Sequence, residues 1–187
     1  MKFLIAGLGN IGAEYEGTRH NVGFDVVEAL AKEYEVSFKV DKLASIAEFK
    51  FKGRIFVMIK PSTYMNLSGK ALNYWMQQEK ISIENILIVT DDLALPFGTL
   101  RLKGQGSDGG HNGLKSINEV LGTTSYARLR FGIGAEFGKG QQSDYVLGKW
   151  SIQESLKLKL RVEKAREIVK SFGTIGLALT MTNFNGK

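Results

Sequence analysis

The 187-residue sequence holds only two imidazoles, His20 in Arg19-His20-Asn21-Val22-Gly23 and His111 in Gly109-Gly110-His111-Asn112-Gly113. There is no cysteine, which removes disulfides, thiol nucleophiles and thiolate-held metals. The histidines show no H-x-x-H or H-E-x-x-H spacing, which leaves little material for a zinc site. Serine chemistry lacks its G-x-S-x-G elbow, since Ser107 has Gln105 two residues before it. What remains is a histidine acting on water as a general base. His20 lies in a glycine-punctuated loop beside amides, a poor place for a core histidine. Asp91 follows the apolar run Ile86–Val89 and is the carboxylate suited to fix an imidazole tautomer and stabilise its protonated form. Asn10, Asn66 and Asn112 fall in loops that could donate to an oxyanion, each donor being worth about 10²–10³ in rate. A positioned base adds roughly 10²–10⁴.

These groups need elements to hold them. Phe3–Ala6 reads as a buried strand bounded by glycine, and residues 10–21 as a loop. Val22, Val26, Leu30 and Tyr34 lie at spacing four, which predicts a helix over 22–34. Lys52-Gly53 reads as the turn of a hairpin joining Ala44–Phe51 to Arg54–Lys60. Pro61 ends the second strand, and Ser68 is placed to cap a helix carrying Ala71, Leu72, Trp75 and Met76. Further strands are expected at Ile86–Val89, Thr99–Lys103 and Ala127–Ile133, with a helix at Leu114–Leu121. Residues 104–113 are too rich in glycine for regular structure, and Glu136–Ser143 reads as a glycine and glutamine loop. Ser151-x-x-Glu154 is a capping box that opens a last helix reaching about Phe172. Its inward face is expected to be Ile152, Leu156, Leu160, Ile168 and Phe172, with Lys157, Lys159, Arg161, Lys164, Arg166 and Lys170 outward.

Apolar strands alternating with helices predict an α/β fold, mostly parallel, with some antiparallel hairpin character. Ligands of such sheets sit beyond the carboxyl ends of the strands. Asn10, the Thr63–Asn66 loop and Asp91 are all delivered to that edge.

Gly7, Gly9 and Gly12 spell G-x-G-x-x-G after a strand, the dinucleotide fingerprint. That motif needs its helix to begin within the glycines. Here Glu14 to Arg19 intervene, and no clear acid ends a second parallel strand about 20 residues on. The glycines are better explained as a tight exit that presents Asn10, with an inserted segment bringing in Tyr15 and His20.

A formal charge of +6 and a pI near 9.4 point to a polyanionic partner. Lys103 beside a glycine loop supplies both charge and N–H donors for a phosphate. Without an apolar stretch of membrane-spanning length or a signal segment, a soluble, cytoplasmic protein is expected.

Five blocks, in order, carry a resemblance. They are Gly7-Leu-Gly9-Asn10 with Tyr15 and Arg19-His20-Asn21-Val-Gly23; Lys60-Pro61-x-Thr63-Tyr64-Met65-Asn66-x-Ser68-Gly69; Asp91-Asp-Leu-x-Leu-Pro96-x-Gly98; Gly109-Gly110-His111-Asn112-Gly113-Leu114-Lys115; and Arg128-Leu-Arg130-Phe-Gly132-Ile-Gly134. Together they resemble bacterial-type peptidyl-tRNA hydrolase over about residues 1–175. Pattern and resemblance together imply one domain over residues 1–187, a three-layer sandwich around a twisted mixed, mostly parallel β-sheet.

The resemblance implies hydrolysis of the ester between peptide and tRNA, by a monomer without metal or cofactor. It makes His20 the general base, Asp91 its support, and Asn10 a catalytic-site residue on the peptide side of the ester. Tyr15, Tyr64, Asn66 and Asn112 would hold the acceptor end and the substrate backbone, and Lys103 with Arg130 would clamp the tRNA 5′ phosphate. The sequence departs from the family at Asp92, Ala94, Phe97 and Asp108, where Glu, Asp, Pro and a neutral or basic residue are more usual. Neither the pattern nor the resemblance decides whether His111 takes a direct part.

Overall fold

The computed structural model describes residues Met1–Lys187. Seven strands form one sheet: β1 (Lys2–Gly7), β2 (Lys39–Asp41), β3 (Ala44–Phe51), β4 (Arg54–Pro61), β5 (Ile86–Asp92), β6 (Leu100–Lys103) and β7 (Ala127–Gly132). Their order is β2-β3-β4-β1-β5-β7-β6. The four central strands, β4, β1, β5 and β7, run parallel, and antiparallel pairs close both edges. The helices are α1 (Val22–Glu33), α2 (Ser68–Glu79), α3 (Asn112–Leu121), α4 (Gln142–Val146), α5 (Ile152–Ile175) and α6 (Leu177–Phe184). No helix is long and apolar enough to cross a membrane.

Strand periodicity explains the layers. In β1, Phe3 and Ile5 join the core under α1 and α5, while Leu4 and Ala6 join the core under α2 and α3. In β5, Leu87 and Val89 face the first core, Ile86 and Ile88 the second. Both strands are covered on both faces, which is why they read as unbroken apolar runs. The result is a three-layer α/β sandwich. At the hairpin, Lys52 (φ 46°) and Gly53 (φ 74°) both adopt left-handed backbone, as a two-residue turn matching strand twist requires.

Gly7 and Gly23 meet where β1 ends and α1 starts. A Cβ on Gly7 would lie 2.2 Å from the Gly23 carbonyl oxygen, and one on Gly23 would lie 2.5 Å from the Leu8 nitrogen. The start of α1 is therefore filled by the protein's own backbone, and the late-starting helix leaves no pyrophosphate seat.

Several expectations need correction. Ser68 is the first residue of α2 rather than its cap, and its hydroxyl donates to the Met65 carbonyl. Ile152, Leu156 and Leu160 are 82%, 77% and 67% exposed. The buried face of α5 is instead Val162, Ala165, Ile168, Val169 and Phe172, because only the carboxyl-terminal half of this helix lies on the sheet. Lys170 is buried between Glu33 and Glu167, 2.7 Å from a carboxylate oxygen of each. Expected as the last helix and to end near Phe172, α5 runs to Ile175 and is followed by another. Beyond it, α6 covers edge strand β6, where the Asn185 side chain bonds both the N–H and the C=O of Leu102. Such cover protects an edge strand from pairing with other chains.

Candidate active site

The carboxyl ends of β1, β4, β5 and β7 open into a cleft of about 1010 Å³. All nine sequence-predicted residues line it: His20, Asp91, Asn10, Tyr15, Tyr64, Asn66, Asn112, Lys103 and Arg130. Thr63 lies outside the lining. His111, Asp92 and Arg128 also line the cleft, and so do Gln142, Ser143, Val146 and Leu147 of the α4 segment.

Asp91 is buried at the end of β5 and receives an imidazole on each oxygen. His20 Nδ1 lies 2.8 Å from Oδ2, and His111 Nε2 lies 2.8 Å from Oδ1. The tautomers follow from the remaining bonds. His111 Nδ1 accepts from the backbone N–H groups of Gly113 and Leu114, capping α3, so the proton of His111 sits on Nε2. That N–H is shared with Thr90 Oγ1, 2.9 Å away. His20 donates Nδ1–H to Asp91, which leaves Nε2 as its free basic nitrogen.

Burial pulls the His20 pKa down. The charge and hydrogen bond of Asp91 outweigh burial and hold it above 6.5. Burial likewise pushes the Asp91 carboxyl up, but the two imidazoles overcome this and hold it well below the usual carboxylate range. His20, Asp91 and His111 come close enough to suggest metal ligands. Both carboxylate oxygens are already engaged by imidazoles, and the His111 nitrogen nearest the carboxylate carries its proton. The donor set is arranged as a hydrogen-bond chain and does not fit an ion.

Asn10 is held from three directions. Its N–H donates to Asn21 Oδ1 at 2.8 Å, its C=O accepts from Asn21 Nδ2 at 2.9 Å, and its own Oδ1 accepts from the Met65 N–H at 2.7 Å. With the amide oxygen fixed, Nδ2 is the donor left for the cleft. The Met65 N–H is brought there by Tyr64, whose backbone stands at φ 61°, ψ 162°. A non-glycine residue in this region costs of order 1–3 kcal/mol and persists where the surroundings over-determine it. Tyr64 is half exposed, and its ring meets that of Tyr15 edge-on at 6.4 Å.

The β6–β7 pairing places Arg101 opposite Arg130 and Lys103 opposite Arg128. All four lie on the α2 and α3 side of the sheet, the alternating leucines filling the other core. Asp92 binds Arg130 Nε through Oδ2 at 2.5 Å and accepts the Ala94 N–H on Oδ1. Only Nε is used, so the terminal nitrogens of Arg130 keep their N–H donors. Arg128 is buried, stacks on Tyr126 at 4.1 Å, and donates to the carbonyls of Gly106, Ser107 and Thr124. It ties the glycine loop to β7. Phe97 packs on Trp150, and Asp108 turns the loop by accepting the Gly110 and His111 N–H groups. The departures from the family pattern at Asp92, Phe97 and Asp108 are thus satisfied locally.

Sequence reasoning missed the bridging part of His111, and also Thr90, Asn21 and Asp92. His111 carried a usable signal, since its glycine-rich loop opens a helix and an imidazole can cap one.

A family model described as peptidyl-tRNA hydrolase matches residues 4–187. The peptidyl-tRNA hydrolases of Cytophaga hutchinsonii and Phocaeicola vulgatus are 54% and 56% identical, each over 187 residues and the whole of both chains. The crystal structure of peptidyl-tRNA hydrolase from Acinetobacter baumannii superimposes with a TM-score of 0.92 at 36% identity, covering 98% of this chain and 94% of that one. The chain belongs to the peptidyl-tRNA hydrolase family, a carboxylic ester hydrolase that releases tRNA from peptidyl-tRNA.

Proposed function

We propose that His20 is the general base of this hydrolysis, with Asp91 holding it and Asn10 facing the ester. The reading rests above all on the 2.8 Å contact of His20 Nδ1 with Asp91 Oδ2. It leaves Nε2 to take a proton from water as the oxygen attacks the ester carbonyl. The carboxylate stabilises the imidazolium that forms. Asn10 Nδ2, or a backbone N–H beside it, receives the negative charge on the carbonyl oxygen. The imidazolium then protonates the departing ribose oxygen, which restores the neutral base.

Tyr15, Tyr64, Asn66 and Asn112 ring the same cleft and hold the acceptor end of the tRNA and the peptide backbone. Aromatic faces suit an unpaired terminal base. Lys103 and the free nitrogens of Arg130 take the 5′ phosphate. A net charge of +6 favours a polyanion and makes affinity fall with salt. The enzyme acts as a monomer of one domain over residues 1–187, without metal or cofactor, in the cytoplasm.

His20→Ala is expected to lose nearly all hydrolysis of peptidyl-tRNA while still binding tRNA. Retention of most activity would remove His20 as the base.

A further inference from the structure

Arg19 precedes the proposed base and takes no part in the hydrolytic step, yet it makes an unusually dense set of contacts. Its Nη2 lies 2.7 Å from Glu154 Oε1 and its Nε 3.4 Å from Oε2, a fork on one carboxylate. Nη1 donates to the Tyr145 carbonyl at 3.1 Å, and the guanidinium lies over the Tyr145 ring at 4.2 Å. The Arg19 backbone N–H donates to the Gly148 carbonyl, and Thr18 forms a single β-bridge to Lys149. Glu154 is also the residue that closes the capping box of α5.

These contacts converge on α4. That helix has five residues, none buried, too few to stand without tertiary support. The segment before it contains Gly138 and Gly140. Arg19 grips α4 by its last turn, and the Tyr145 hydroxyl pins the same ring to the Ile133 carbonyl at 2.6 Å. On its other side the α4 segment lines the cleft with Gln142, Ser143, Val146 and Leu147. Lysine could not replace this arginine, because a single ammonium supplies neither the fork nor the planar face. Gly148 matches it, since a Cβ there would stand 2.9 Å from Arg19 Nη1.

We propose that Arg19 is a positioning residue that latches the α4 side of the cleft to the His20 loop and to α5, setting the width of the cleft for substrate. The substrate half of this rests on the reading of the cleft given above; the latch itself does not.

The test uses the full-length enzyme with Arg19→Lys, Arg19→Ala and Gly148→Ala. The last crowds Arg19 Nη1, but its Cβ would also stand 3.1 Å from the Asp144 and Tyr145 carbonyls, so the two Arg19 variants carry the test. Amide hydrogen exchange at residues 142–147 is expected to accelerate at least about tenfold while that of α1 holds. KM for peptidyl-tRNA is expected to rise about tenfold, with kcat and the acid midpoint of the pH profile unchanged. Unchanged exchange at α4 overturns the latch. A fall in kcat with a shifted midpoint also overturns it, placing the effect on His20 instead. Faster exchange with an unchanged KM overturns the substrate half alone and counts against α4 as part of the substrate cleft.

Discussion

His20 and His111 stand 4.9 Å apart, ring centre to ring centre, because they share the two oxygens of Asp91. One imidazole is tied at both nitrogens and the other at one, so His20 is the one with a ring nitrogen free for the proton transfer proposed above. The carboxylate that orients His20 also sets its pKa, and replacing it separates the two effects. Asp91→Asn removes the attraction that outweighs burial, so the acid limb of the pH–rate profile should move to lower pH. The maximal rate should fall roughly 10²–10⁴-fold as the tautomer is lost. A limb that stays in place would mean that another group titrates.

The same pair predicts a pH-dependent stability. His20 has a folded pKa above 6.5, so its contribution is full below the unfolded value and is lost as pH rises through the folded one. His20→Gln should therefore cost more in denaturant unfolding at about pH 5.5 than at about pH 8.5. Asp91, with its pKa depressed, contributes above 3.8 and loses that contribution as pH falls toward its folded value. Equal costs for His20→Gln at both pH values would contradict the pairing.

His111 has two tasks that substitution can separate. His111→Ala should remove the cap of α3, worth typically about 1 kcal/mol, together with the donor to Asp91. His111→Asn is a good cap and should return most of the stability. Its rate should remain down about tenfold or more, since an asparagine side chain is too short to cap α3 and still reach Asp91 as imidazole Nε2 does. Full activity in His111→Asn would reduce the residue to a cap.

Asp92 aims Arg130. Asp92→Asn weakens the grip on Nε, and KM for 5′-phosphorylated peptidyl-tRNA should rise several-fold more than KM for the dephosphorylated form. Equal rises for the two substrates would detach Arg130 from the phosphate.

Much of this was legible from residues alone. Asn10, Tyr64, Asn66 and Asp91 follow apolar strands in sequence, and strand ends in an α/β sheet converge by topology, so their meeting in one cleft follows from the order of the elements. The share of Asp91 held by His111 does not, because that bond joins a loop to a strand 20 residues away. Periodicity showed that α5 is amphipathic but not which half the sheet reaches. Ile152, Leu156 and Leu160 keep the spacing of a core face and lie beyond the sheet's cover. The C-terminal α6 shows no clear pattern of its own and is placed by Asn185 on β6, a contact no local rule anticipates.

Tyr64 holds a backbone conformation that glycine adopts freely. Tyr64→Gly should leave thermal stability equal or higher, relieved strain offsetting the flexibility added to the unfolded chain. KM should rise as the ring is lost. A marked fall in stability would mean that the ring, rather than the backbone, holds this turn.

The most direct test of the proposed mechanism is the pH dependence of kcat/KM for peptidyl-tRNA in the unaltered enzyme. The arrangement of His20 on Asp91 predicts a single ionisation on the acid side with its midpoint above 6.5, activity falling as the imidazole is protonated. A rate that stays flat from about pH 5 to about pH 8 would contradict it.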